Sequence, residues 1–254
     1  MSSSQPPKAD LFVTCIIDQL YPQVGVSVVR VLRRLGVEVA FLEDQTCCGQ
    51  PAFNSGFWNE ASDVARHFLD VFDATEGPIV VPSGSCGAMV RNFYGEMFED
   101  DPAEMERVRR VGERIYEFTE FLVDVLGQDD LVAEMGAQLD ETATYHKCCH
   151  LERELGVDHQ PQELLGQIKG LEMLPMYRPE VCCGFGGTFA VKFSDVSTAM
   201  LDEKLDNVAA TGASMIVAGD TGCIMHMAGG LRRRGSDQQV RHIAEILDEA
   251  TRPT

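Results

Sequence analysis

"VCCGFGGTF", residues 181–189, sets two adjacent cysteines against a run of glycines, and "TCCGQPAF", residues 46–53, sets down the same Cys-Cys-Gly 135 positions earlier. Reading outward from the two doublets, the first half has the pattern C-x31-CCG from Cys15, with Cys86 arriving 38 positions after Cys48. The second half has C-x32-CCG from Cys149, with Cys223 arriving 40 positions after Cys183. Equivalent cysteines are offset by 134, 135, 135 and 137 residues, and their surroundings match: "IVVPSGSCGAM" at 79–89 lies against "IVAGDTGCIMH" at 216–226. This is an internal duplication. Cys148 falls outside it, because Thr14 stands at its place in the first half.

The duplication carries a fold. In each half, short apolar stretches alternate with amphipathic ones: "DLFVTCII" as a strand ending at Cys15, the helix "PQVGVSVVRVLRRLG", the strand "VEVAF", the doublet loop, the helix "NEASDVARHFLDVF", the strand "PIVVP", and a helix from about Ser85. The second half repeats the order with "ATYHK", a helix near 160–168, "LEMLPM", the second doublet, "SDVSTAMLDEKLDNVAATG", "SMIVAG", a helix from about Gly222 and a last helix in "HIAEILDEA". Residues 102–127 read as one or two connecting helices. Strands alternating with helices imply an α/β fold of two pseudo-repeated, Rossmann-like domains with parallel sheets. The division falls near 130–140, giving domains of 1–135 and 136–254.

On this scheme Cys15, Cys86, Cys149 and Cys223 each follow an apolar strand, and the doublets occupy strand-to-helix loops. Ligands of open α/β sheets lie at the carboxyl ends of the strands, so the four cysteines of each half are expected to converge. Gly49, Gly184, Gly186 and Gly187 let backbone amides approach an anion, and helix starts beside Cys86 and Cys223 favour thiolate.

The chain has 254 residues, 44% of them hydrophobic, and no apolar run long enough to span a membrane. "MSSSQPPKADLFV" lacks the apolar core of a secretion signal and reads as a short disordered tail. A formal charge of −19 argues against nucleic acid as a partner. Nine cysteines without an export signal read as metal-binding or catalytic, and an odd number cannot all pair within the chain. Packing alone does not require eight of them to repeat. Structural zinc sites are built from C-x2-4-C knuckles, and neither half contains one. Iron–sulfur groups accept adjacent or widely spaced thiolates.

These stretches resemble the CCG cysteine-rich domain family, which includes a component of heterodisulfide reductase and the iron–sulfur component of glycolate oxidase. "LFVTCIIDQLYPQVGVS", "DQTCCGQPAFNSG", "PSGSCGAMV", "TYHKCCHLERELGV", "CCGFGGTFAVKFSDVSTAM" and "DTGCIMHMAGGLRRRG" are similar to the lactate-utilisation A branch, over about residues 10 to 248. The resemblance implies two iron–sulfur sites. Cys15, Cys47, Cys48 and Cys86 would hold the metal of one, and Cys149, Cys182, Cys183 and Cys223 that of the other. It implies an oxidoreductase component that transfers electrons in the bacterial cytoplasm, working with partner lactate-utilisation proteins B and C to oxidise L-lactate to pyruvate. The family pattern ends in C-x2-C; here the fifth places are Met89 and His226. A four-thiolate [4Fe-4S] group is therefore expected over the non-cubane form of heterodisulfide reductase, with His226 and Cys148 as alternative ligands. Two other functions stay open: a metal-stabilised scaffold without redox activity, and a catalytic subunit acting on a disulfide or a 2-hydroxy acid.

The remaining candidates have plainer readings. His146 and His150 stand as donors behind the thiolates or as capping and surface residues, and His67 and His242 as structural residues of helical segments. Lys192 and Lys204 read as solvated, with charge balance for an anionic group as the alternative. "LRRRG" at 231–235 reads as a solvated helix end, and "GFGG" lacks the G-x-G-x-x-G spacing of a dinucleotide site.

Overall fold

The computed structural model describes residues 7–127 and 135–252. The expected tail at 1–6 and part of the expected boundary stretch, 128–134, lie outside the described residues. Two four-stranded sheets, parallel throughout, repeat one topology. The first contains β1 (Lys8–Leu11), β2 (Glu38–Phe41), β3 (Ile79–Val81) and β4 (Ile115–Glu117) in the order β2-β1-β3-β4. The second contains β5 (Gln138–Tyr145), β6 (Lys169–Met173), β7 (Met215–Ala218) and β8 (Gln239–His242) in the order β6-β5-β7-β8. β3 and β7 are buried along their whole length, as strands covered on both faces must be. In each sheet the winding reverses between the first and third strands, and ligand crevices open at such a switch point.

Hydrophobic periodicity, rather than side-chain capping, places the two longest helices of the first half. α1 (Cys15–Leu20) is short, and α2 (Pro22–Arg34) opens on a proline, which is preorganised for a first turn. α2 buries Val24, Val28, Val31 and Leu32 at three- and four-residue steps and closes on Arg33 and Arg34, which suit the negative end of its dipole. α3 (Gln50–Asn54) follows the first doublet, and α4 (Trp58–Phe72) buries Ala61, Ala65, Phe68, Leu69 and Phe72. α5 (Gly84–Ala88) follows β3, and α6 (Pro102–Gly112) precedes β4. In the second half α7 (His159–Gly166) precedes β6, and α8 (Ser194–Ala209) follows the second doublet. α9 (Thr221–Arg234) follows β7, and α10 (Ile243–Ala250) closes the order.

Three findings correct the sequence reading. Cys15 does not end a strand: β1 stops at Leu11, and Cys15 is the first residue of α1. The stretch 102–127 is not wholly helical: α6 is followed by β4 and then by helical turns over 118–125. The last strand, β8, likewise precedes the final helix, so His242 ends a strand and caps a helix.

The two halves share a core. Val28, Val31 and Leu32 of α2 belong to one buried cluster with Leu164, Ile243 and Leu247 of the second half. Its rim is tied by the Arg34–Asp248 ion pair at 2.7 Å. No helix among the described residues is long and apolar enough to cross a membrane.

Candidate metal centre

All nine cysteines are free thiols. In the first half the sulfurs of Cys15 and Cys47 lie 3.5 Å apart, and those of Cys48 and Cys86 3.4 Å apart. In the second half Cys183 and Cys223 approach to 3.1 Å, and Cys149 is hydrogen-bonded to Cys182. Hydrogen bonds between Cys47 and Cys48 and between Cys182 and Cys183 link these pairs, so that each expected quartet is a chain of neighbouring sulfurs. Both quartets line one cavity of about 170 Å³. Cys48, Cys86, Cys183 and Cys223 form its buried floor, while Cys15, Cys47, Cys149 and Cys182 are half-buried at its rim.

Local backbone geometry brings the sulfurs together. Gly49 and Gly184 end the two doublets at φ +82 and +84, a region L side chains avoid. At Gly184 there is also no room for a side chain, since an added Cβ would stand 2.6 Å from the Ser197 carbonyl oxygen. The turn sends the Gly49 amide to the Cys47 sulfur at 3.5 Å and the Gly184 amide to the Cys182 sulfur at 3.4 Å. Cys86 and Cys223 lie in the first turns of α5 and α9, the third residue of each.

Electrostatics single out one thiolate per quartet. Hydrogen bonds from the Cys15 and Cys48 thiols, then from the Gly49 and Cys48 amides, hold Cys47 well below the ordinary thiol range. Bonds from Cys149 and Cys183, then the Gly184 amide, do the same for Cys182. The donors Cys15 and Cys149 are pushed up, first by those bonds and then by burial. The outside cysteine, Cys148, is buried against the second quartet. Its thiol is lowered to about 6, chiefly by a hydrogen bond with Cys223 and, against the opposing effect of burial, by the nearby imidazole of His146.

Other expected residues part company here. Met89 is fully buried in the first half's core, and the His226 Nε2 is engaged by the Ser197 hydroxyl at 3.2 Å. His150 Nδ1 stands 3.7 Å from the Cys149 sulfur. His67 is exposed and bonded to the Asp44 carbonyl. Lys192 is exposed, but Lys204 is fully buried, contrary to a solvated reading. Its ammonium donates to the Pro179 carbonyl at 2.9 Å and reaches the Arg178 carbonyl at 3.5 Å. "LRRRG" ends α9 at a left-handed Gly235, with Arg234 paired to Asp202 and Asp206.

Sequence reasoning missed Asp220 and the depth of His146. Asp220 carries the second half's helix start across to the first: its Oδ2 accepts the Ser85 amide at 2.9 Å while its Oδ1 accepts the Gly222 amide at 2.9 Å. His146 is fully buried, and it presents a ring nitrogen that lies with the Cys183 and Cys223 sulfurs in a group of ligand atoms within 4.8 Å of one another. The available signal was its position, which matches Phe12 in the first half.

Comparison with known proteins agrees with the internal repeat. The CCG cysteine-rich domain profile matches residues 9–91 and 143–228. Lactate utilization protein A 2 of Bacillus cereus is 45% identical over 240 residues, 94% of this chain and 97% of that protein. Lactate utilization protein A of an Exiguobacterium species is 43% identical over 247 residues, 97% of this chain and 99% of its own. Among solved structures, a hypothetical protein from Helicobacter pylori superposes with a TM-score of 0.66 at 11% identity. The match covers 99% of this chain and half of that one, and it speaks to the fold alone.

Proposed function

The chain belongs to the CCG cysteine-rich domain family, with full-length relatives named for lactate utilization, and on that premise we propose that it is an iron–sulfur electron-transfer component of a system that oxidises L-lactate to pyruvate. One observation carries the reading: eight free thiols, four from each half of a duplicated chain, face a single cavity in two quartets of neighbouring sulfurs. Sulfurs 3.1–3.5 Å apart with no disulfide between them suit metal coordination, since several thiolates so close repel unless a cation joins them.

In this reading Cys15, Cys47, Cys48 and Cys86 hold the iron of one site and Cys149, Cys182, Cys183 and Cys223 that of the other. When bound, such a group takes up and returns single electrons. The protein's own contribution is to hold the thiolates ready and to exclude water from the buried floor. The Gly49 and Gly184 amides, aimed at Cys47 and Cys182, withdraw electron density from sulfur and favour the reduced state. The shared cavity sets the two sites side by side, which suits passage of electrons between them. Two partner proteins, the lactate-utilisation proteins B and C, would supply and accept those electrons in the cytoplasm, where thiols remain reduced.

The test is anaerobic purification with iron and sulfide quantitation and electron paramagnetic resonance. The expected result is a brown protein whose visible absorption bleaches on dithionite reduction and whose iron is lost when either doublet is changed to serine. A colourless protein that takes up neither iron nor sulfide under reconstitution would overturn the reading.

A further inference from the structure

The two halves are copies, yet what stands behind their thiols differs. Phe12 and Thr14 of the first half are replaced by His146 and Cys148 in the second. Phe12 packs edge-on against Phe68 and Phe72, ring centres 4.8 and 5.7 Å away, and needs no polar partner. His146 occupies the equivalent place, fully buried; no oxygen or nitrogen meets either ring nitrogen at hydrogen-bond geometry, and its side-chain neighbour is the Cys148 thiol. A buried imidazole left in that state is expensive, and buried polar groups in folded proteins nearly always have a partner.

The partner that the surroundings offer is a metal ion. A ring nitrogen of His146 and the sulfurs of Cys183 and Cys223 lie within 4.8 Å of one another, all three side chains buried. Tetrahedral metal–sulfur and metal–nitrogen bonds of about 2.0–2.3 Å place ligand atoms roughly 3.5 Å apart, so this group needs only small movements to close. Cys148 adds a fourth donor, since its sulfur is hydrogen-bonded to that of Cys223.

We propose that His146 is a metal ligand: its imidazole joins Cys183 and Cys223, with Cys148 as fourth donor, on the innermost metal held by the second half, while the first half remains all-thiolate. The donor set suits a divalent ion of the Fe2+ or Zn2+ class. The inference deepens the reading above and rests on it for ligation by the thiols. It makes the duplicated sites unequal: on that metal His146 and Cys148 stand where the reading above has Cys149 and Cys182, and a neutral imidazole in place of one thiolate raises the reduction potential of iron, so that electrons would settle on the second half.

The test uses the full chain, metal-free and reduced, titrated with Co2+, with thiolate-to-metal charge transfer reporting the donor set. Change of His146 to the first half's residue, His146→Phe, is expected to weaken uptake at one site by at least the roughly ten- to hundredfold that loss of a mere outer-shell partner costs, while the other site titrates as before. His146→Cys is expected to restore affinity with stronger charge transfer. In wild-type protein carrying isotopically labelled histidine, Cd2+ is expected to shift the ring nitrogens of one buried histidine, a readout that survives if a variant fails to fold. If labelled His146 stays unshifted and His146→Phe titrates like the wild type while Cys183→Ser and Cys223→Ser lose a site, the imidazole is not a ligand and the proposal falls alone. If the cysteine variants also bind Co2+ unchanged, the metal reading of the second half falls with it.

Discussion

The Asp220 carboxylate of the second half accepts the Ser83 hydroxyl of the first at 3.0 Å. The two residues occupy equivalent positions, each three before the last cysteine of its half. Their difference is what lets them pair, since two aspartates would repel and two serines would bring no charge. One carboxylate caps α9 and also takes the Ser85 amide at the start of α5, so the helices bearing Cys86 and Cys223 are held together across the cavity.

Asp220→Ala removes a buried, charge-assisted bridge and leaves the Ser83 hydroxyl and two helix amides without their acceptor. Hydrogen bonds to charged groups are worth about 1.5–3 kcal/mol, so a loss of about 3 kcal/mol is expected, or roughly 6–12 °C in Tm for a chain of this size. Asp220→Asn keeps one acceptor and costs less. Thermal unfolding of the reduced, metal-free protein checks this, and a shift of under about 2 °C for the alanine variant would contradict it.

Glu117 and His242, the residues that end β4 and β8, titrate in opposite senses. Burial lifts Glu117 from the ordinary 4.5 to about 8, and burial lowers His242 from 6.5 to about 4. The folded protein keeps the Glu117 proton that the unfolded chain releases at 4.5, so this stability is full below 4.5 and is lost as pH rises towards 8. The folded protein refuses the His242 proton that the unfolded chain takes up at 6.5, so that stability is full above 6.5 and is lost as pH falls towards 4. Between 4.5 and 6.5 the two slopes cancel. Glu117→Gln removes one of them. From pH 6 to pH 8 the wild type should lose up to about 3 kcal/mol relative to this variant, at about 1.4 kcal/mol per pH unit. Urea unfolding at the two pH values measures it, and parallel stabilities would refute it.

The glycines after the doublets should differ in tolerance. Gly49→Ala and Gly184→Ala both force an L residue to positive φ, at about 1–2 kcal/mol each. At Gly49 the nearest atom to a new Cβ is the Ala61 carbonyl oxygen at 3.4 Å; at Gly184 the Ser197 carbonyl oxygen is at 2.6 Å. Gly184→Ala should therefore unfold the loop or shift α8, with a stability loss clearly beyond that of Gly49→Ala. Equal losses in denaturant titrations would show that the close approach relaxes freely.

The repeat, the parallel sheets and the eight thiols were legible because apolar strands and cysteine doublets are local signals that spacing preserves. β4 and β8 were not. "IYE" and "QVRH" are edge strands of three and four residues, and the first lies within a stretch of otherwise helical period, 102–127. The convergence of both quartets on one cavity was hidden because it depends on how the halves dock, through Asp220, Ser83 and the shared core around Leu32 and Leu247. His146 and Lys204 were read by residue type. Only their surroundings, a buried ring met by no oxygen or nitrogen and an ammonium against backbone carbonyls, set them apart.

Lys204 yields a last prediction, one that separates the two sites. The equivalence of the halves around the doublets can be read from the carbonyls that pack on the two glycines, Ala61 on Gly49 and Ser197 on Gly184; the same offset sets Lys204 against Phe68. An apolar ring has thus become a buried cation, and burial lowers its pKa while the cysteines nearby, Cys183 first, oppose that shift. Its ammonium ties down Arg178, at φ +51, and Pro179, the segment that delivers Cys182. Lys204→Met preserves length and apolar contact but removes the ammonium from those carbonyls, leaving them only the Val181 and Lys147 amides, at a cost of about 1–3 kcal/mol. Hydrogen exchange should rise over 176–183 while 44–50 stays protected. Bound metal should escape faster from the second quartet than from the first, as seen in chelator competition on the wild-type and variant proteins. Equal release rates from both quartets in the variant would mean that the segment holds its shape without the lysine.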